Sequence, residues 1–166
     1  KKVANNAWNH LIKPQLLGIC KEALMNRLIT ACVLICLSTL SWAHEGAEGV
    51  VKERMDRFKD NKAAMKAIKG NLGGDAAVIA QKASEIEAWA HEMVKFFPEG
   101  SSQPPSEALP AIWEAFDHFT ELANANATAA ANLKTLAQSG ADTNALTNGF
   151  KALGKTCKDC HNDYKE

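Results

Sequence analysis

LTNGFKALGKTCKDCHNDY, residues 146–164, decides how this chain folds. Within it Leu146, Phe150, Leu153, Cys157, Cys160 and Tyr164 follow one another at intervals of four, three, four, three and four. That rhythm matches the turn of an α-helix and lays the six side chains along one stripe, the buried face of a helix in a bundle. Asp142 or Thr143 opens the helix, since a short polar side chain there caps the free backbone N–H groups. Upstream, Ile112, Trp113, Phe116, Phe119, Ala123, Ala127, Ala130 and Leu133 set out a third helix, which follows Pro110 and ends near Ser139-Gly140. A second starts after Asp75, carries Ile79, Ala83, Ile86, Trp89, Ala90, Met93, Phe96 and Phe97, and stops at Pro98, because proline lacks the helical N–H. The first runs over residues 48–69 with Val51, Met55, Phe58, Met65 and Ile68 as its apolar positions, and Gly70 ends it. Between the second and third lies the one long loop, which includes PEGSSQPPSE, residues 98–107. β-branched residues are sparse and no stretch alternates with period two, so strands are not expected. The pattern predicts an all-α fold, an antiparallel four-helix bundle with short first and last connections, one domain and no internal repeat.

The 166 residues hold 46% apolar side chains, enough for a core, and 19 basic against 19 acidic groups. Zero net charge argues against a nucleic-acid binder, which needs a basic excess. The start of the chain reads differently from the rest. Met25-Asn26-Arg27, an apolar run over residues 28–40 and Ser41-Trp42-Ala43 have the order of a secretory signal peptide, with small residues before the cut. The run is too short for a comfortable membrane span of roughly 20 residues. A lipoprotein cut at Cys32 fits poorly, because Cys32 lies only seven residues after Met25. Residues 1–24 read as an upstream over-extension, residues 25–43 as the signal peptide, and residues 44–166 as the mature domain. That mature chain carries 14 basic and 18 acidic residues, a net charge of −4, and would be periplasmic with no membrane attachment after cleavage. Of five cysteines only Cys157 and Cys160 remain in it.

Cys157-Lys158-Asp159-Cys160-His161 is C-x-x-C-H, the attachment pattern for a c-type haem. Two thiols three residues apart sit one helical turn apart, close enough to add across the two vinyl groups of one porphyrin. The adjacent histidine then offers its imidazole nitrogen to the iron. Competing uses of the motif are weaker. A thioredoxin-like pair wants a β-α-β context, a structural zinc site wants four ligands, and a disulfide across so small a loop stabilises little.

With C-x-x-C-H near the end of the last helix of an exported four-helix bundle, the chain resembles the class II c-type cytochromes, the cytochrome c′ family. The resemblance covers residues 48–166 and includes Val50-Val51-x-x-Arg54-Met55, Pro110-Ala111-Ile112-Trp113 and the closing Cys-Lys-Asp-Cys-His-Asn-Asp-Tyr-Lys. It implies one haem c held by thioethers at Cys157 and Cys160, with His161 as proximal iron ligand. It further implies Arg54 beside a haem propionate, Trp113 near the haem edge and Lys165 as the basic residue next to the proximal histidine. Six-coordinate members of the family place a ligating methionine four residues after the arginine; here that position is Phe58, which has no lone pair to donate. A five-coordinate iron with a crowded apolar distal pocket follows, as in family members that bind nitric oxide and carbon monoxide and discriminate against oxygen. The alternative is a six-coordinate His–Met electron carrier, with Met55 or Met65 as ligand and redox proteins as partners. The resemblance also implies a homodimer through the first two helices. No acid–base pair in a substrate pocket is evident, so no enzymatic turnover is expected.

Other residues read more plainly. His91 and His118 each follow a glutamate by four, Glu87 and Glu114, but both fall beside the apolar stripe and read as solvated. His44, the first mature residue, could chelate copper only with partners that the sequence does not identify. Trp89 reads as core packing. Lys59, Lys62, Lys66 and Lys69 form one solvated face of the first helix that could attract an acidic partner.

Overall fold

Asp75 and Asp142 start their helices by the same device. In the computed structural model, which describes residues 46–166, the Asp75 carboxylate accepts from the Ala77 N–H at 2.8 Å and that of Asp142 from the Ala145 N–H at 2.8 Å. Each satisfies a backbone donor that the first turn of a helix leaves unpaired. The helices they open are α2, Ala76–Glu92, and α5, Thr143–Tyr164. α1, Gly49–Gly70, precedes α2 across a short turn in which Gly73 takes a φ of +87°, a conformation costly for a residue with a Cβ. α3, Ala111–Glu114, and α4, Phe116–Gln138, follow the long loop. Signal peptide 25–43, upstream stretch 1–24 and His44 lie outside the described residues.

α2 packs on α4 and α4 on α5, with α1 laid against α2; α1 and α5 make the slack side of the bundle. Ala123, Ala127 and Ala130 are all buried along α4 and let its neighbours come close. The interior divides in two. Toward the short turns it is aliphatic, with Ile68, Ile79, Ile86, Leu133, Leu146 and Leu153 packed together. Toward the long loop it is aromatic, built on Trp89, Phe97, Phe119 and Tyr164 with Met93 and Ile112. Since Ile68 of α1 and Leu146 of α5 share the first cluster while Phe58 and Tyr164 share the second, α1 and α5 run antiparallel. They touch where Met65 reaches Gly154: a Cβ on that glycine would lie 3.8 Å from the methionine Cε.

Two details depart from the pattern of the sequence. The second helix tightens into a 3₁₀ turn over Met93–Phe96 before Pro98. The third is not continuous: Ala115, at φ −133° and ψ 49°, separates α3 from α4. The break has a physical reason. It allows Ile112 to bury completely while the Trp113 indole N–H donates to the Phe97 and Pro98 carbonyls at 3.0 and 3.1 Å. The Tyr164 hydroxyl meets the Ala115 carbonyl at 3.4 Å. The end of the chain is tied down as well, since Leu109 N–H donates to the Tyr164 carbonyl and Glu166 N–H to the Glu107 carbonyl, both at 3.0 Å. No helix among the described residues is long and apolar enough to cross a membrane.

Leu153 is fully buried at the centre of the aliphatic half. Leu153→Ala is expected to cost about 2–5 kcal/mol of unfolding free energy. Asp142→Ala should cost about 1 kcal/mol through the lost cap. Denaturant titration followed by circular dichroism measures both.

Candidate haem site

The last turns of α5 present Cys157, Cys160 and His161 at the aromatic end of the bundle. Both cysteines are free thiols and half-buried. Cys157 Sγ receives the Asn126 side-chain amide from α4 at 3.5 Å, while the same amide donates to Thr156 Oγ1 at 2.8 Å. Burial raises the Cys157 thiol pKa, against the opposing pull of that amide. Cys160 is pushed up to about 11, by burial first and then by the neighbouring Cys157 and Asp163. Both therefore remain protonated at neutral pH, the reverse of the acidified thiol that redox and nucleophilic cysteines need. His161 is exposed at the rim; partial desolvation and then Lys165 lower its imidazole pKa, while Glu107 acts against them. A neutral imidazole keeps the lone pair that a metal requires.

Phe58, half-buried on α1, packs against the aromatic cluster that Cys160 joins. Its ring meets Trp89 edge-on at 5.6 Å and Phe97 at 6.4 Å. The Met65–Gly154 contact sets the register. Further along, Phe58 of α1 and Cys160 of α5 pack against the same aromatic cluster. Met65 packs with the aliphatic half and Met55 belongs to neither cluster.

Arg54, one turn before Phe58, is only 2% exposed. Its Nη1 donates to the Phe96 carbonyl at 3.2 Å and to Ser101 Oγ at 2.7 Å, and its Nη2 to Ser106 Oγ at 2.5 Å and to the Ser101 carbonyl. The guanidinium also lies 4.5 Å over the Phe97 ring. Among the described residues no carboxylate pairs with it. Lys165, by contrast, sits on the rim in an ion pair with Glu107 at 2.6 Å.

Phe58, Trp113 and Cys160 thus converge on one aromatic cluster, with Arg54 joined to it through Phe97 and with His161 and Lys165 at its edge. His91 and His118 stay exposed; Glu87 pairs with Lys134 at 2.5 Å, and His118 faces Glu121 and Asp163 at 3.4 and 3.6 Å. Four contributors were not evident from the pattern: Asn126, the loop residues Ser101 and Ser106, and the indole nitrogen of Trp89. That Trp89 nitrogen is the one buried side-chain polar atom without a hydrogen-bond partner among the described residues. An unpaired buried donor costs about 1–3 kcal/mol, and a buried cation lacking a counter-ion is unfavourable in the same way. Two half-buried thiols, a cation lacking its anion and a donor lacking its acceptor around an aromatic cluster fit a flat, largely apolar macrocycle that carries carboxylates.

The family model for cytochrome c′ matches residues 49–165. The chain belongs to the cytochrome c′ family. A cytochrome c′ of Rhodospirillum rubrum is 33% identical over 146 residues, which cover 85% of this chain and 99% of that protein. Cytochrome c-554 of Cereibacter sphaeroides is 36% identical over 109 residues, 58% of this chain and 70% of its own. Among solved structures, cytochrome c′ from Rhodopseudomonas palustris superposes with a TM-score of 0.66 at 26% identity, covering 72% of this chain and 98% of that one. This cytochrome c′ relative is a haem-binding c-type cytochrome whose cofactor is covalent haem c.

Arg54→Met removes the hydrogen bonds from α1 to Phe96, Ser101 and Ser106. The expected loss is about 1–3 kcal/mol of stability, together with faster proteolytic cleavage within residues 97–107, read by denaturation and by mass spectrometry of the fragments.

Proposed function

We propose that this exported c-type cytochrome holds one haem through thioethers at Cys157 and Cys160, with His161 on the iron and the opposite face left to Phe58. The observation that carries this reading is that Phe58, rather than a methionine, packs against the same aromatic cluster as Cys160 of the C-x-x-C-H motif. When bound, haem would supply a redox couple and a site at which nitric oxide or carbon monoxide can coordinate. The chain's own residues do the rest. Phe58, held edge-on by Trp89 and Phe97, covers that position with apolar surface and excludes water. Arg54 supplies the buried positive charge that a propionate needs, and charge-assisted bonds of that kind are among the stronger ones. Trp113, anchored to the Phe97 and Pro98 carbonyls, packs beside the edge of the cleft. Lys165 keeps a positive charge near His161 and holds its proton affinity down.

A second reading, one-electron carriage between redox proteins, draws support from charge. Lys59, Lys62, Lys66 and Lys69 are all exposed along α1, and Lys151 and Lys158 are exposed on α5. None of the six is in an ion pair among the described residues. Such a face suits an acidic partner. In its six-coordinate form this reading needs Met55 or Met65 on the iron, and the packing of Met65 into the aliphatic half disfavours that residue. A periplasmic location, binding rather than turnover, and pairing of two copies through α1 and α2 belong to the same proposal. The first is supported by the signal-like stretch 25–43, the last by family resemblance alone.

The deciding experiment is a visible spectrum of the haem-loaded protein, reduced, before and after carbon monoxide. A high-spin spectrum that converts fully with the gas is expected; a low-spin spectrum indifferent to it would overturn the five-coordinate reading. Phe58→Met should turn the first kind of spectrum into the second. Replacing both cysteines, Cys157→Ala with Cys160→Ala, should abolish the haem signal on a denaturing gel.

A further inference from the structure

Trp89 stands out once the two tryptophans of the described region are compared. The Trp113 indole N–H has two carbonyl acceptors, at 3.0 and 3.1 Å. The Trp89 indole N–H has none, although the residue is only 4% exposed and its nitrogen is sealed from solvent. Its surroundings explain why the protein does not satisfy it. Phe58 meets the ring edge-on at 5.6 Å, Phe96 lies at 5.0 Å, and the Arg57 guanidinium covers it at 5.8 Å, a cation that can only donate. An indole N–H is a donor without acceptor capacity, so it cannot be matched by another donor. A phenylalanine would fill an apolar site of this kind without the unpaired group. The natural resolution is an acceptor that arrives with the cofactor.

We propose that Trp89 is a contact residue of the haem cleft, whose Nε1–H donates a hydrogen bond to an oxygen acceptor brought in on haem loading. That acceptor is either a propionate carboxylate or the distal diatomic ligand beside Phe58. The inference rests on the assignment of haem to Cys157, Cys160 and His161, and it gives Trp89 a role besides core packing. It also places an indole donor next to the aromatic side chains around Phe58.

The test uses the haem-loaded protein, ¹⁵N-labelled at tryptophan, in the reduced carbon monoxide complex, where the iron is diamagnetic. Loss of one signal in Trp89→Phe assigns the Trp89 indole. In the parent protein that proton is expected downfield and slow to exchange. The Fe–CO and C–O stretching frequencies then separate the two acceptors. A C–O stretch that rises in Trp89→Phe places the donor on the distal ligand. An unchanged stretch, with an altered pH dependence of the midpoint potential, places it on a propionate. An indole proton at its free position, with stretch and pH dependence both unmoved by the substitution, overturns the inference while the spectrum still shows an open iron. If Trp89→Phe fails to accumulate haem, selective ¹⁵N labelling with hydrogen exchange of the parent decides alone. Failure of carbon monoxide to bind the parent would instead overturn the five-coordinate reading and remove the distal ligand as acceptor. The propionate arm would then be decided by the midpoint potential.

Discussion

The buried guanidinium of Arg54 is the interaction on which the functional end of this molecule depends. It binds the loop at three places, Phe96, Ser101 and Ser106. Ser106 Oγ in turn accepts from the Ala108 N–H at 3.2 Å, and Ala108 forms an isolated antiparallel bridge with Lys165. The Lys165 N–H closes the last turn of α5 on the His161 carbonyl at 3.2 Å. A polar path therefore runs from the first helix through the loop to the end of the last, and it finishes at the proposed proximal ligand. Ten loop residues of mostly polar and proline character could not order themselves by burial. A charged donor with several fixed N–H groups supplies the order instead.

The division of the interior follows from the same arrangement. Aliphatic side chains fill the end closed by short turns, where helices can interdigitate to the density of an ordinary core. Aromatic side chains occupy the end where the long loop must be covered, since each brings much area with few rotatable bonds. Edge-on contacts such as Phe97–Phe119 at 4.9 Å and Phe119–Tyr164 at 5.4 Å link the start of the long loop, α4 and α5 there. This aromatic wall backs Phe58, so that side chain is held by its neighbours and is not a free flap.

Much of this was legible in the sequence, for identifiable reasons. The four-three spacing from Leu146 to Tyr164 became one uninterrupted helix because nothing within it competes with the helical period. Both aspartate caps emerged where expected, as did the burial of Ile79, Ile86 and Phe119. The third helix broke at Ala115 because tertiary demands on Ile112 and Trp113 outweighed a run of good helix formers. C-x-x-C-H announces itself by spacing alone. The partners of Arg54 do not, because serines in a loop carry no period and are recruited across 47 and 52 residues. Nor could pattern reveal that the Trp89 nitrogen lacks an acceptor, since a stripe specifies which face is buried and says nothing of what each polar atom meets.

The chemistry of the two thiols narrows the use of the motif beyond what its spacing does. A redox pair needs an attacking thiol with a pKa near ambient pH. Cys157 and Cys160 are displaced the other way by burial, with no cation close enough to reverse it. Protonated, half-buried thiols one helical turn apart suit a use in which sulfur ends as a neutral thioether, because burying a neutral sulfur costs little while burying a thiolate costs much. The environment that makes these residues poor redox groups is therefore one that suits a permanent covalent link, and Asn126 is placed to steer the first of them from the neighbouring helix.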